Sequence, residues 1–156
     1  DNLTSGIVGD LKYGRTVYSL LYGLKNYYVN VHLISPPSLA IRKESIFEFE
    51  GLMNIKHYDY LDDIIPQLDV LYVTRIQKER FPDTQEYEKV KGTYRIDEKT
   101  LDNAKMELSI MHPLPRLDEI SHTIDNTKNA IYFKQAAYGK ELRSALLALI
   151  LNEDPF

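Results

Sequence analysis

Five short apolar runs, separated by segments of helical periodicity, constrain this chain more than any other feature. They are SGIVG at 5–9, VNVHLIS at 29–35, NIKHYD at 54–59, DVLYVT at 69–74 and LSIMHP at 108–113. Each is the length of a strand buried in a sheet. After the first, Val17, Leu20, Leu21, Leu24 and Tyr28 recur at the spacing of one buried helical face. SLAIRKESIFEFEG, at 38–51, predicts a weaker helix ending near Gly51. YLDDIIPQL predicts a short one limited by Pro66, and DEKTLDNAK one capped by Asp97. A last helix, at about 137–152, places Leu142, Ala145, Leu146, Leu149 and Ile150 on one face. Strands alternating with helices at this interval imply an α/β fold. The expected architecture is Rossmann-like: an open, mainly parallel five-stranded sheet with helices on both faces and right-handed crossovers. No repeat or inner linker interrupts residues 1–156, so the whole chain reads as a single domain.

Composition narrows the function classes. The net charge is −4 and no basic block stands out, so no nucleic-acid partner is expected. There is no cysteine, which excludes disulfides and thiolate metal sites and is compatible with the cytoplasmic setting we expect. No apolar run approaches the length that crosses a bilayer, and no membrane partner is expected. The histidines, at 32, 57, 112 and 122, lack metal-ligand spacing, so no metal is expected. The chain begins at Asp1 and its first methionine is Met53, which points to processing or to a piece of something larger.

Ligands of open parallel sheets bind beyond the carboxyl ends of the strands. Three such ends carry unusual residues, and they share one edge if the first strand lies beside the fourth and the fourth beside the fifth. GDLKYGRT follows the first strand. Its spacing resembles a phosphate loop, but Arg15 stands where the lysine should follow Gly14, ahead of Thr16, and no dinucleotide fingerprint is present. The glycine predicts a turn with a backbone conformation other residues resist. Arg15 opens a helix, where a cation is unfavourable unless it faces an anion in a forked grip. TRIQKER follows the fourth strand. There Arg75 and Gln77 can point to the same side and suit a carboxylate, while Lys78, Glu79 and Arg80 read as an internal salt-bridge network. MHPLPR follows the fifth strand. Pro113 and Pro115 stiffen the loop around Leu114 and lack N–H donors, which leaves its carbonyls available to a ligand. A rigid turn explains that loop equally well, and His112 reads most simply as a buried, hydrogen-bonded side chain.

VGDLKYGRTVYSL, LYVTRIQKER and MHPLPRLDEI, in this order and spacing, resemble the aspartate carbamoyltransferases. The closing YFKQAAYGKELRSALLALIL is similar to the end of that family's catalytic chain. The resemblance runs over nearly all of the sequence but covers only the C-terminal, aspartate-binding domain of the family. The N-terminal carbamoyl-phosphate domain, with its Ser-Thr-Arg-Thr-Arg motif and its carbonyl-polarising histidine, has no counterpart here. The resemblance therefore implies substrate-binding residues and no catalytic residue in this half. Arg15 is similar to the arginine that holds the α-carboxylate of L-aspartate. Arg75 and Gln77 resemble the pair on its β-carboxylate. The backbone of Leu114, with Pro115, resembles the element that contacts the amine and carbamoyl phosphate. Glu79 and Arg80 match a positioning network. Lys12, Tyr13 and Glu86 match closure-dependent contacts, and Thr16, His112 and Arg116 complete the supporting set. Segment 76–90 corresponds to a mobile loop. Tyr18 departs from the usual histidine, and His112-Pro113-Leu114-Pro115 favours aspartate over ornithine.

The implied reaction is attack of the aspartate amine on carbamoyl phosphate with loss of phosphate, using no cofactor and no metal. Implied partners are L-aspartate, carbamoyl phosphate held mainly by the other domain, the N-terminal half of the catalytic chain, and a homotrimer with or without regulatory chains. This half alone should be nearly inactive. A non-catalytic carboxylate-binding module and a carbamoyltransferase with another acceptor remain the alternatives.

Overall fold

The structure, a computed structural model, describes residues 3–49 and 51–151. Its strands are β1 (Leu3–Val8), β2 (Val29–Ile34), β3 (Asn54–Tyr58), β4 (Val70–Val73) and β5 (Ser109–Met111). Its helices are α1 (Arg15–Leu24), α2 (Lys43–Ile46), α3 (Thr84–Val90), α4 (Glu98–Asp102) and α5 (Tyr132–Leu151). The sheet order is β3-β2-β1-β4-β5, and every pairing is parallel. All five predicted strands are present, and the first lies beside the fourth as expected.

Side-chain alternation along the strands divides the core between the two faces of the sheet. Ile7, Val31, Leu33 and Tyr72 point to one face, where Val17 and Leu21 of α1 and the side chains of Ile41 and Phe49 cover them. Val8, Ile34, Leu71, Val73 and Ile110 point to the other, under Ile64, Leu68, Ile96, Ile124 and Tyr132. Both groups are almost wholly withdrawn from water, which supplies the main drive for folding.

Some expected helices are shorter or broken. The 38–51 segment forms a 3-10 turn at Pro37–Leu39, the four-residue α2 and another 3-10 turn at Phe47–Phe49. Its buried residues Leu39, Ile41 and Phe49 do not follow a helical repeat, so no continuous helix could bury them all. Gly51 has a φ of 76°, the left-handed conformation a terminating glycine adopts. The segment before β4 contains only the 3-10 turn Ile65–Gln67, cut short by Pro66. α4 carries the predicted Asp97 cap as a full capping box with Thr100. α3 lies within the segment read as a loop, and α5 begins five residues before the expected 137.

Candidate functional site

The chain runs from β1 to β3 on one side of β1 and returns through β4 on the other, so the strand order reverses between β1 and β4. The carboxyl ends of those two strands form the crevice where ligands of such sheets lie. They are pressed close together there. Gly9 has a φ of 117°, and a Cβ at this position would meet the carbonyl and hydroxyl oxygens of Thr74. Thr74 in turn donates from its N–H at 2.9 Å and its hydroxyl at 3.0 Å to the Val8 carbonyl.

Asp10 follows, 1% exposed. Its Oδ1 accepts the N–H of Tyr13 at 2.8 Å and shapes the turn, while Oδ2 has no hydrogen-bond partner. Burial pushes its carboxyl above the ordinary value, opposed by the Tyr13 and Lys12 N–H groups and the nearby charges of Arg80 and Lys12. Gly14 corrects the expectation of an unusual backbone. Its φ is −72°, and glycine is needed because a Cβ would run into the Asp10 carbonyl. α1 then starts at Arg15 with no side-chain cap and no acidic residue in its first turn, which leaves its positive end to an anion.

A cavity of about 150 Å³ joins the three loops. Arg15 and Thr16 line it from α1, Arg75, Gln77 and Arg80 from beyond β4, and His112, Pro113, Leu114 and Pro115 from beyond β5. At roughly 30 Å³ per water it holds a small metabolite, and it is well below the size of a drug-sized ligand site. Three arginines and no carboxylate line it. Glu79 lies just outside, 3.4 Å from Arg75. This corrects the expected network: Glu79 pairs with Arg75, and Arg80 donates to the Tyr13 carbonyl, tying the β4 loop to the β1 loop.

The β5 loop is held from behind. The Leu114–Pro115 peptide is cis, and Leu114, at a φ of 52°, is the one non-glycine residue with positive φ among the described residues. The Leu114 N–H donates to His112 Nδ1 at 2.8 Å, and the His112 N–H donates to Gln135 Oε1 of α5 at 3.0 Å. His112 is buried, as its simplest reading predicts. Its Nε2 sits 2.8 Å from Glu119 Oε1, close in distance though not aligned as a hydrogen bond. Burial pushes the Glu119 carboxyl up, but His112 and the backbone N–H groups of Glu119 and Leu117 outweigh it and hold the carboxyl below the ordinary value.

Other expected residues lie apart from the cavity. Lys12 and Tyr13 line an open neighbouring groove with Arg42 and Arg80. Glu86 is exposed on α3 and lines neither space. Arg116 faces away: its guanidinium is bound bidentately by Asp125 and also donates to the Tyr132 hydroxyl at 2.9 Å. It works as a clamp between this loop and α5. Asp10, Arg42 and Glu119 are the neighbours that sequence reading passed over. Of these only Asp10 left a signal, an acid between a strand end and a basic turn. Among the described residues no cluster of histidine and carboxylate side chains could hold a metal ion, and no helix is long and apolar enough to cross a membrane.

Residues 1–150 match the family described as aspartate/ornithine carbamoyltransferase, Asp/Orn binding domain. The aspartate carbamoyltransferase catalytic subunit of Nitrosopumilus maritimus is 59% identical over 156 residues, covering 100% of this chain and 50% of its own. A catalytic subunit of M. jannaschii aspartate transcarbamoylase superposes with a TM-score of 0.88 at 44% identity, covering 99% of this chain and 52% of that one. The Trypanosoma cruzi aspartate transcarbamoylase solved with carbamoyl phosphate and aspartate superposes at 0.82 with 36% identity, covering 89% and 47%. The chain spans about half the length of the curated relatives it matches.

Proposed function

Because this chain belongs to the aspartate/ornithine carbamoyltransferase family, we propose that residues 1–156 are the aspartate-binding domain of an aspartate carbamoyltransferase. The whole enzyme then transfers the carbamoyl group of carbamoyl phosphate to the amine of L-aspartate, in pyrimidine biosynthesis. The observation that carries this reading is the convergence of Arg15, Arg75, Gln77 and the Leu114–Pro115 backbone on one small cavity at the strand-order reversal.

The cavity suits a dianion with a central amine. Arg15, at the open end of α1, takes one carboxylate, and Arg75 with Gln77 takes the other. Two fixed ends leave the amine no freedom except to face the loop at Leu114, whose carbonyl can accept its proton-bearing side. Holding the nucleophile in one orientation is the main catalytic contribution such a half can make. Activation of the carbamoyl carbonyl falls to the other half of the relatives' length.

α5 supports this division. Leu142, Leu146, Leu147, Leu149, Ile150 and Leu151 are all more than half exposed, around most of the helix circumference. The last two turns of α5, from Ser144 onward, carry no charge, and a stretch apolar around most of its circumference belongs against other protein, so we assign its cover to that other half. The same reading extends to a cytoplasmic homotrimer. The test is carbamoyl-aspartate formation by this chain alone and mixed with the N-terminal half from a close relative. Activity only in the mixture is expected. Full activity of the chain alone would overturn the division of labour, and aspartate binding without transfer in the mixture would make the domain a carboxylate-binding module.

A further inference from the structure

We infer that Glu119 is a positioning residue for carbamoyl transfer: through the His112 ring it fixes the Leu114 backbone that faces the aspartate amine. This rests on the function proposed above and goes beyond it, since nothing in the cavity lining requires Glu119.

Leu114 adopts a positive φ, a conformation that a side chain of this kind resists and that its surroundings must impose. Pro113 and Pro115 on either side have no N–H to contribute, so the Leu114 N–H is the single backbone donor of the proline segment. That donor is taken by His112 Nδ1 at 2.8 Å. Nδ1 must therefore be an acceptor, which places the proton of the neutral ring on Nε2. Nε2 is buried and has Glu119 Oε1 2.8 Å away, close enough for its charge and dipole to act on the ring though not aligned as a hydrogen bond. A carboxylate at that distance stabilises the Nε2–H tautomer and disfavours the alternative, which would set one N–H against another at Leu114.

Glu119 is itself fixed. Its two oxygens take the Leu117 N–H at 3.2 and 3.1 Å, and its carbonyl accepts from the Ile96 N–H at 2.9 Å. The loop from His112 to Glu119 thus closes on itself through one imidazole. Removing the carboxylate frees the ring to change tautomer or turn. The Leu114 N–H then loses its acceptor, and the peptide can leave the left-handed region.

The test uses the full-length enzyme. Glu119→Ala should lower kcat about ten- to a hundred-fold, by analogy with the cost of losing a group that orients a metal-ligating side chain. Glu119→Gln, which still offers an oxygen to Nε2–H, should restore most of the rate. In the unmodified enzyme, histidine-selective nitrogen NMR should show His112 with its proton on Nε2. The Leu114 amide should exchange slowly there and faster in Glu119→Ala. A proton on Nδ1, equal rates for Glu119→Ala and the unmodified enzyme, or failure of Glu119→Gln to rescue a folded protein would each overturn the inference. Absence of aspartate carbamoylation by the unmodified enzyme would instead overturn the function proposed for the site. The tautomer and exchange signals would still decide whether Glu119 holds Leu114.

Discussion

Gly9 and Arg75 sit on opposite sides of Thr74, and they fail differently when altered. Gly9→Ala forces a side chain into a conformation that L residues rarely adopt and drives it onto Thr74. A strained position of this kind costs about 1–3 kcal/mol, so thermal unfolding should show a lower Tm. The ends of β1 and β4 should also spread, which weakens aspartate use beyond what the stability loss explains. Arg75→Ala leaves the strand ends intact and removes one grip. In the complete enzyme the KM for aspartate should rise, by roughly 2–4 kcal/mol of lost binding, or about 30- to 700-fold. Carbamoyl-phosphate binding should stay as it was, and steady-state kinetics with each substrate varied in turn measure the split. Unchanged aspartate kinetics would sink the assignment of Arg75. Charges such as Arg15 and Arg75 are legible in sequence because they stand where a neutral residue would serve the fold better. Glu119 and Asp10 are not, because their meaning comes from partners that only the folded loops bring near. Gly14 is legible as a turn, but its reason, the approach of the Asp10 carbonyl, arises only once the loop is folded.

The strands of this chain are more legible in its sequence than the helices, for a physical reason. A strand buried on both faces is apolar throughout, and all five such runs are present. A short helix covering part of a sheet needs few buried residues, and irregular turns bury them as well, as the 37–49 segment does with Leu39, Ile41 and Phe49. The start of α5 is set by a contact rather than a pattern: Arg116 from the β5 loop reaches Asp125 and Tyr132, so the helix begins where the clamp closes. That clamp has a pH signature. The Arg116 hydrogen bonds, helped by those of Tyr132 and His122 and by the Arg116 charge, outweigh the opposing effect of burial and hold the Asp125 carboxyl down to about 2 from an ordinary 3.8. A depressed carboxyl contributes stability that is full above its unfolded value and fades as pH falls through the folded one. Asp125→Asn should therefore flatten the fall of Tm between pH 3.8 and about 2. His32, buried in β2 and lowered by desolvation first and then by Lys56, acts in a higher window. Its neutral form is favoured in the fold, so its contribution is full above 6.5 and declines below it as the unfolded chain takes up the proton. His57, likewise lowered by desolvation, acts in the same window, so melting curves across pH should show an upper and a lower decline, and His32→Gln should shrink the upper one and leave the lower one as it was.

At the scale of the whole molecule, the sheet has a covered face on each side, while α5 beyond Tyr132 has no buried residue among those described. Sequence periodicity picked out one apolar face, with Leu142, Leu146, Leu149 and Ile150. It did not separate that face from the further exposure of Leu147 and Leu151 on the other side. An exposed apolar surface of this extent drives association in water. The isolated chain should therefore self-associate in a concentration-dependent way, read by sedimentation. Replacing Leu142 and Leu149, which are 72% and 70% exposed, by lysine should abolish that association. Neither residue touches the core, so each change should alter the unfolding free energy of the isolated chain by no more than the roughly 0.5 kcal/mol typical of surface substitutions. The same pair of changes in the complete enzyme should act oppositely. If α5 is covered there by the other half, two lysines at that contact would be buried without partners. Carbamoyl transfer should then fall although every residue of the aspartate cavity is intact, and added N-terminal half should no longer restore activity to the altered chain. Retained complementation with those lysines in place would mean that α5 meets water in the complete enzyme, and its apolar surface would need another explanation.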